Sequence, residues 1–272
     1  MAYARFVTRL GAAALLMVVA AACSGGPTQT KEELFQSGKK FAAEGKYNEA
    51  IIQYRNAVRM DPKYGEARYE LAQAYLKISD PGKALGEYVR AADLLPENLD
   101  ANLTAGQLLL LARRYEDART RAQHVLDRDP KNVPAQLLKG ASLAGLKDFT
   151  SAIADVNEAI EMDPQNARSY LTLGSLQATT GRLAEAEATF KHAAEVGPTS
   201  AVAQLALANF YWSAGRAAEA EAPLRRTIEL DPKNVPAYRA LATYFVFTGR
   251  GAAAEAPLKA IASIENSSAA RM

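Results

Sequence analysis

Six prolines, Pro62, Pro96, Pro130, Pro164, Pro198 and Pro232, stand thirty-four residues apart in this chain. A fixed period of that length is the mark of a repeat protein, in which one supersecondary unit cannot bury its apolar face alone and stacked neighbours share a core. The ladder settles the architecture and moves the functional question elsewhere. An array of this kind normally holds other molecules rather than transforming them.

If each repeat ends two residues past its proline, repeats begin at Lys31, Gly65, Leu99, Val133, Ala167, Ala201 and Val235. The twentieth position is then alanine in all seven: Ala50, Ala84, Ala118, Ala152, Ala186, Ala220 and Ala254. Alanine has the best helix propensity, and a methyl is all that fits where two helices approach most closely. The eighth position is always small, as Gly38, Ala72, Gly106, Gly140, Gly174, Ala208 and Ala242, which predicts a close Gly/Ala pair between the two helices of a hairpin. Larger apolar residues surround these sites at helical spacing, for example Tyr47, Ala50, Ile51, Tyr54, Ala57 and Val58.

Short breakers separate the two helices of a repeat, among them Glu44-Gly45-Lys46, Thr180-Gly181-Arg182, Ala214-Gly215-Arg216 and Thr248-Gly249-Arg250. Glycine just past a helix end takes the left-handed cap without steric cost. The pairs Asp61-Pro62, Asp129-Pro130, Asp163-Pro164 and Asp231-Pro232 stop the second helix, because proline pushes its predecessor out of helical geometry. No run of alternating β-branched residues predicts a strand. The expectation is an all-α chain of about fourteen helices.

A small residue at eight, an aromatic or leucine near eleven, alanine at twenty, an aromatic or aliphatic at twenty-four, alanine near twenty-seven and proline at thirty-two together resemble the tetratricopeptide repeat (TPR). Gly38, Phe41, Ala50, Tyr54, Ala57 and Pro62 carry the match in the first repeat, and Gly174, Ala186, Phe190, Ala193 and Pro198 in the fifth. The third departs most, with Ala122 and Val125 at the aromatic and alanine sites, and the seventh has Asn266 in place of proline. The resemblance implies an α-solenoid, a right-handed superhelix of seven helix-turn-helix units over residues 31–266, followed by a short tail at 267–272.

At the other end, Arg5 and Arg9 precede an uncharged apolar stretch from Leu10 to Ala22, the pattern of a secretory signal over residues 1–22. It is too short for a membrane-spanning helix, which needs roughly twenty apolar residues. The lone cysteine, Cys23, follows at once, then Ser24-Gly25-Gly26-Pro27-Thr28-Gln29-Thr30. Ala20-Ala21-Ala22-Cys23 resembles a bacterial lipobox, although Ala20 stands where leucine is usual. The resemblance implies that Cys23 is acylated, that residues 23–30 form a tether, and that the chain sits on the outer membrane facing the periplasm, since Ser24 rather than aspartate follows the cysteine. The other reading is a plain signal-peptidase site with Cys23 an incidental thiol. Two or three acyl chains anchor stably where one binds marginally.

Removing Arg5 and Arg9 takes the 32 basic and 30 acidic residues to 30 of each, so the remaining chain is formally neutral and carries no electrostatic footprint of a nucleic-acid binder. His124 and His192 lack partners at metal-ligand spacing and read as helix-surface residues. Gly-rich phosphate loops and Gly-x-Ser-x-Gly are absent. Acidic neighbours such as Glu185 and Glu187, or Glu219 and Glu221, read as solvated faces or ion pairs. No enzyme, cofactor or metal is expected.

In arrays that this one resembles, the first helix of each hairpin lines a concave groove through positions two, five, nine and twelve. Position five reads Phe35, Tyr69, Leu103, Leu137, Leu171, Leu205 and Arg239; position nine Lys39, Gln73, Gln107, Ala141, Ser175, Asn209 and Thr243; position twelve Ala42, Leu76, Leu110, Ala144, Ala178, Trp212 and Val246. An apolar row beside short polar and amide side chains suits a partner helix or extended peptide. The alternative is that the row at five is packing within the array. Tyr69, Gln73, Leu76, Leu103, Gln107, Leu110, Asn209 and Trp212 are the candidate partner-binding residues. The two-carboxylate clamp of chaperone-binding relatives wants lysine at five and asparagine at nine in one repeat, and no repeat here has both.

The last helix, expected at about Ala252 to Ile264, presents Leu258, Ile261 and Ile264 with no polar capping helix after it. Pro223 and Pro257 are expected to kink or loosen their helices. The lipobox, brief tether and Glu44-Gly45-Lys46-Tyr47-Asn48-Glu49-Ala50-Ile51-Ile52-Gln53-Tyr54-Arg55-Asn56-Ala57 are similar to the N-terminal part of the longer TPR lipoproteins of the PEP-CTERM/exosortase and exopolysaccharide system, of which this chain resembles a shortened form. The function read from the sequence is a membrane-anchored scaffold that docks other envelope proteins for an export, polysaccharide or pilus system. Two further readings stand beside it: a detached substrate-recognition module of a larger enzyme such as a glycosyltransferase, and an array that stacks end to end on itself.

Overall fold

The computed structural model describes residues 29–269, where fourteen α-helices follow one another in antiparallel pairs and no strand occurs. Two compact units divide between Leu94 and Leu95. The first holds α1 (Lys31–Ala43) with α2 (Tyr47–Met60), and α3 (Gly65–Lys77) with α4 (Pro81–Leu94). The second holds α5 (Leu99–Leu111) with α6 (Tyr115–Leu126), α7 (Val133–Gly145) with α8 (Phe149–Met162), and α9 (Ala167–Thr179) with α10 (Leu183–Val196). It continues with α11 (Ala201–Ser213) and α12 (Ala217–Leu230), then α13 (Val235–Phe247) and α14 (Glu255–Ala269), the last pair joined through a 3₁₀ turn, Gly251–Ala254. Inside each unit a helix packs on those before and after it.

The junction between pairs explains the ladder. Asp61, Asp163 and Asp231 each accept the backbone N–H two residues on, at 2.9, 3.2 and 3.2 Å, which turns the chain across the proline. Two residues past the proline an asparagine caps the next helix: Asn98, Asn132 and Asn234 accept the N–H of Ala101, Ala135 and Ala237 at 2.9–3.0 Å. Ser200 does the same for Ala203, and Thr30 forms a capping box with Glu33. Each such cap is worth about 1 kcal/mol.

Within each pair the turn places one residue in the left-handed region. Glycine fills it at Gly45, Gly181, Gly215 and Gly249, with φ between 72° and 78°. The same position in the other three pairs is held by Ser79, Arg113 and Lys147, at φ 59°, 58° and 68°. A Cβ makes that conformation cost about 1–2 kcal/mol, so these three turns are held by the helices around them.

The alanines at position twenty are all buried. The expected Gly–Ala pairing is only part of the contact at position eight. A Cβ on Gly38 would meet the ring of Tyr54 at 2.5 Å, and one on Gly174 the ring of Phe190 at 3.1 Å, so the side chain at twenty-four lies on the glycine. At Gly140 both partners crowd in, Val156 at 3.0 Å and the Ala152 carbonyl at 3.2 Å, whereas a Cβ on Gly106 would first meet Leu138 of the next repeat at 2.6 Å.

Polar pairs nineteen residues apart cross the interior of three hairpins. Arg68 pairs with Glu87, Arg121 donates to Asn102 at 3.2 Å, and Gln136 donates to Asp155 at 3.1 Å. Arg68, Asn102 and Gln136 are buried, and each is satisfied again nearby: Arg68 by the Pro62 carbonyl, Asn102 by the Asn98 carbonyl, Gln136 by Glu158. Buried polar groups need such partners.

The two late prolines behave differently. Pro223 sits inside a continuous α12, packed between Ala220 and Leu224, with the Thr227 hydroxyl on its carbonyl at 2.8 Å. Before Pro257 the chain instead runs as a 3₁₀ turn and restarts at Glu255, which puts the proline in the first helical turn where its missing N–H costs nothing. The last helix therefore begins later than the sequence suggests and continues to Ala269, three residues into the segment expected as a tail. Leu258, whose counterparts at position twenty-four are all buried, is 54% exposed in consequence.

The glycines give a paired test. Gly38→Ala drives a methyl into the fully buried Tyr54 and is expected to lower unfolding free energy by about 1–3 kcal/mol. Gly86→Ala, at an exposed position in α4 with nothing within 4 Å, is expected to raise it by about 1 kcal/mol. Chemical denaturation followed by circular dichroism reads both; equal effects would contradict the packing described.

Candidate functional site

Because every first helix starts at the same phase of the repeat, its fifth, ninth and twelfth residues fall on one face. Position five turns mostly inward. The Phe35 ring lies 6.0 Å from Tyr54 and 5.2 Å from Tyr64, and Tyr69 meets Tyr88 edge-on at 5.8 Å. Leu103 packs on the buried Val125, Leu126 and Ala135, and Leu137 is itself buried. Arg239 is the exception and is exposed.

The remaining candidates separate into three places. Tyr69, Gln73 and Leu76 lie half-buried on α3, in the first unit. Gln107 and Leu110, on α5, border a small cleft of about 190 Å³ with Val133, Leu137 and Thr172. Asn209 and Trp212, on α11, come together in a cleft of about 320 Å³ that α12 floors with Ala220 and Leu224 and α13 closes with Pro236, Arg239 and Thr243. Asn209 and Thr243 are exposed, Trp212 is 38% exposed, and beside them Val246 and Phe247 reach 65% and 70%. The Trp212 and Phe247 rings stand 5.3 Å apart. At position twelve the fourth and fifth repeats carry Ala144 and Ala178, and the sixth and seventh carry Trp212 and Val246.

Ion pairs fix the helices that carry this cleft. Glu187 on α10 accepts from Arg216, Lys191 and the Tyr211 hydroxyl. One repeat later Glu221 on α12 accepts from Arg250 at 2.7 Å and Arg225 at 2.8 Å. Arg216 lies over the Tyr211 ring at 4.9 Å, and Arg250 over Phe245 at 4.7 Å. Hydrogen bonds from Arg216 and Lys191 hold the Glu187 carboxyl down at about 2, and those from Arg250 and Arg225 do the same for Glu221. The sequence read these acids as solvated faces or ion pairs, and the structure gives Glu187 and Glu221 ion pairs. Lys191 and Arg225 lie four residues on, whereas Arg216 and Arg250 lie 29 residues on, a spacing that a search within one helix does not reach.

Of the histidines, His124 contacts the Pro96 carbonyl at 2.8 Å and His192 stands edge-on to Tyr170 at 4.6 Å. Among the described residues no cluster of His, Cys, Asp and Glu could hold a metal ion, and no helix is long and apolar enough to cross a membrane. Cys23 and the secretory signal expected over residues 1–22 lie outside the described residues.

Comparison with known proteins fits this architecture. Tetratricopeptide-repeat models match residues 38–79, 103–167, 143–210 and 184–243, which together take in more than half of the chain. The chain belongs to the tetratricopeptide-repeat family, whose members serve as protein-interaction scaffolds. Among solved structures it is similar to a tetratricopeptide repeat protein from Parabacteroides merdae, with TM-score 0.71 and 19% identity over 87% of this chain and 94% of that one. PilW, a type IV pilus biogenesis factor, gives TM-score 0.60 and 21% identity over 80% of this chain and 99% of its own. Pseudomonas aeruginosa pilF gives 0.52 and 19% over 74% and 92%. No curated protein matches.

The depressed carboxyls make the end of the array acid-sensitive. A carboxyl lowered in the folded state stabilises it above the ordinary value of 4.5, and that stabilisation is lost as pH falls from there toward about 2. The melting temperature is expected to fall between pH 5 and pH 3, and the Glu187→Gln/Glu221→Gln variant to melt lower at neutral pH with a flatter pH profile. A variant profile parallel to the wild type would show that these pairs do not couple to folding.

Proposed function

We propose that the chain is a lipid-anchored scaffold on the periplasmic side of a bacterial outer membrane, which docks partner proteins on its first-helix faces during assembly of an envelope export, polysaccharide or pilus system. The observation that carries the docking reading is the cleft at Asn209 and Trp212, where an exposed amide and an exposed indole stand together over apolar Ala220 and Leu224. Scattered exposed apolar residues need no explanation, whereas a contiguous set with Val246 and Phe247 marks an interaction surface. The anchoring reading rests on Arg5, Arg9, the apolar stretch to Ala22 and Cys23. The envelope setting is supported by the resemblance to the PEP-CTERM-system TPR lipoproteins and by the fold shared with PilW.

Both halves are testable in cells. Crosslinking and capture from native envelopes is expected to lose partners when Gln73, Gln107 and Trp212 are changed together to alanine; an unchanged partner set would remove the first-helix faces from consideration. Palmitate labelling is expected in the wild type and absent after Cys23→Ala. Labelling that persists in the variant would sink the lipoprotein assignment.

A further inference from the structure

The cleft between α11, α12 and α13 carries an unusual balance of hydrogen-bonding groups. Its lining holds a guanidinium, an amide and an indole, from Arg239, Asn209 and Trp212, set over apolar Leu224 and Pro236. Thr243 is engaged already, donating its hydroxyl to the Arg239 carbonyl at 2.9 Å. No acidic residue lines the cleft. Among the described residues the Arg239 side chain makes no ion pair and no hydrogen bond, unlike Arg216 and Arg250 nearby, which are each held by glutamates. The side chains of Asn209 and Trp212 likewise make no hydrogen bond among the described residues. A guanidinium offers five N–H donors and accepts nothing, and an indole offers one.

We infer that this cleft recognises an extended protein segment in which an acidic side chain stands next to an aromatic or aliphatic one. The inference rests on the docking reading above and names what that site takes. Arg239 pairs with the carboxylate, a geometry that a planar guanidinium meets with two parallel hydrogen bonds. Trp212, with Phe247 behind it, receives the apolar neighbour. The Asn209 amide, donor and acceptor at once, fits the segment's backbone. Charge and anchor come from different helices, α13 and α11, so they are read side by side. Position five is apolar in the other six repeats, which makes Arg239 the residue that sets specificity at this end of the array.

The test is selection and then a double-mutant cycle. Random dodecapeptides displayed on phage are panned against the full chain in detergent, with the Trp212→Ala chain as the counter-target. The best sequence is synthesised with an amidated C-terminus, so that a side chain supplies its only carboxylates, and again with Asp or Glu replaced by Asn or Gln. Selected peptides are expected to share an acidic residue beside an aromatic or aliphatic one. Arg239→Ala should weaken the acidic peptide about tenfold or more and leave the amide version within twofold, and Trp212→Ala should abolish both. Melting temperature checks that each variant is folded. Selected peptides without an acidic residue, or an Arg239→Ala affinity within twofold for the acidic peptide, would overturn the carboxylate assignment while leaving a docking cleft. Binding that requires a free C-terminal carboxylate would overturn it too. Enrichment no better on the wild type than on Trp212→Ala would remove the cleft as a peptide site altogether.

Discussion

A proline has no N–H to offer a helix, and it biases the residue before it away from helical geometry. At Asp61-Pro62, Asp163-Pro164 and Asp231-Pro232 that bias ends one helix, while the aspartate oxygen turns the backbone past the ring. The residue two places past the proline then opens the next helix, through an asparagine cap at Asn98, Asn132 and Asn234. Stop and start are thus separated by a fixed number of residues. Everything placed on a first helix inherits its angular position from that junction, including the side chains of the cleft. Asn209 and Arg239 face the same space because Ser200 and Asn234 begin their helices at equivalent points.

Much of this was legible in the residues. A period, a small-residue site and a helix stop are local properties, and Ala50, Gly38 and Pro62 announce them without reference to anything distant. What could not be read were features decided by neighbours. Ser79, Arg113 and Lys147 take left-handed turns for which their side chains give no signal, because the flanking helices impose the conformation. Phe35 and Tyr69 looked as suited to a partner as to a core, and only the positions of Tyr54, Tyr64 and Tyr88 decide it. Leu258 matched the buried position twenty-four of the other repeats, yet Pro257 moved the start of its helix and left it exposed. Asn209 and Trp212 were named from their register, whereas the standing of Arg239 depended on learning that nothing nearby neutralises it.

The two chemistries of the array are kept apart. Ionic groups at Glu187 and Glu221 are spent on fixing one helix pair to the next, each with arginines that also lie on aromatic rings. Held in that way, those arginines are unavailable to a ligand. Arg239 sits on a first helix beyond the reach of any such acid and keeps its charge open. Fixing the frame with paired charges while Arg239 stays unpaired beside an exposed indole gives a formally neutral repeat chain a local preference.

The polar pairs crossing the hairpins bear on a hazard particular to chains built from one repeated unit. Seven units that share alanine at twenty, six of them also proline at thirty-two, offer each helix several wrong mates of similar apolar fit. Arg68 with Glu87, Asn102 with Arg121 and Gln136 with Asp155 are not interchangeable in the same way. The helix bearing Leu34, docked on α4 or α8, would seal Glu87 or Asp155 against hydrocarbon, and Arg68 docked on α6 would face the guanidinium of Arg121. An unpaired buried charge costs far more than a misplaced methyl. A helix docked on the wrong mate would thus leave a polar group without its partner, a penalty that the native hairpins avoid.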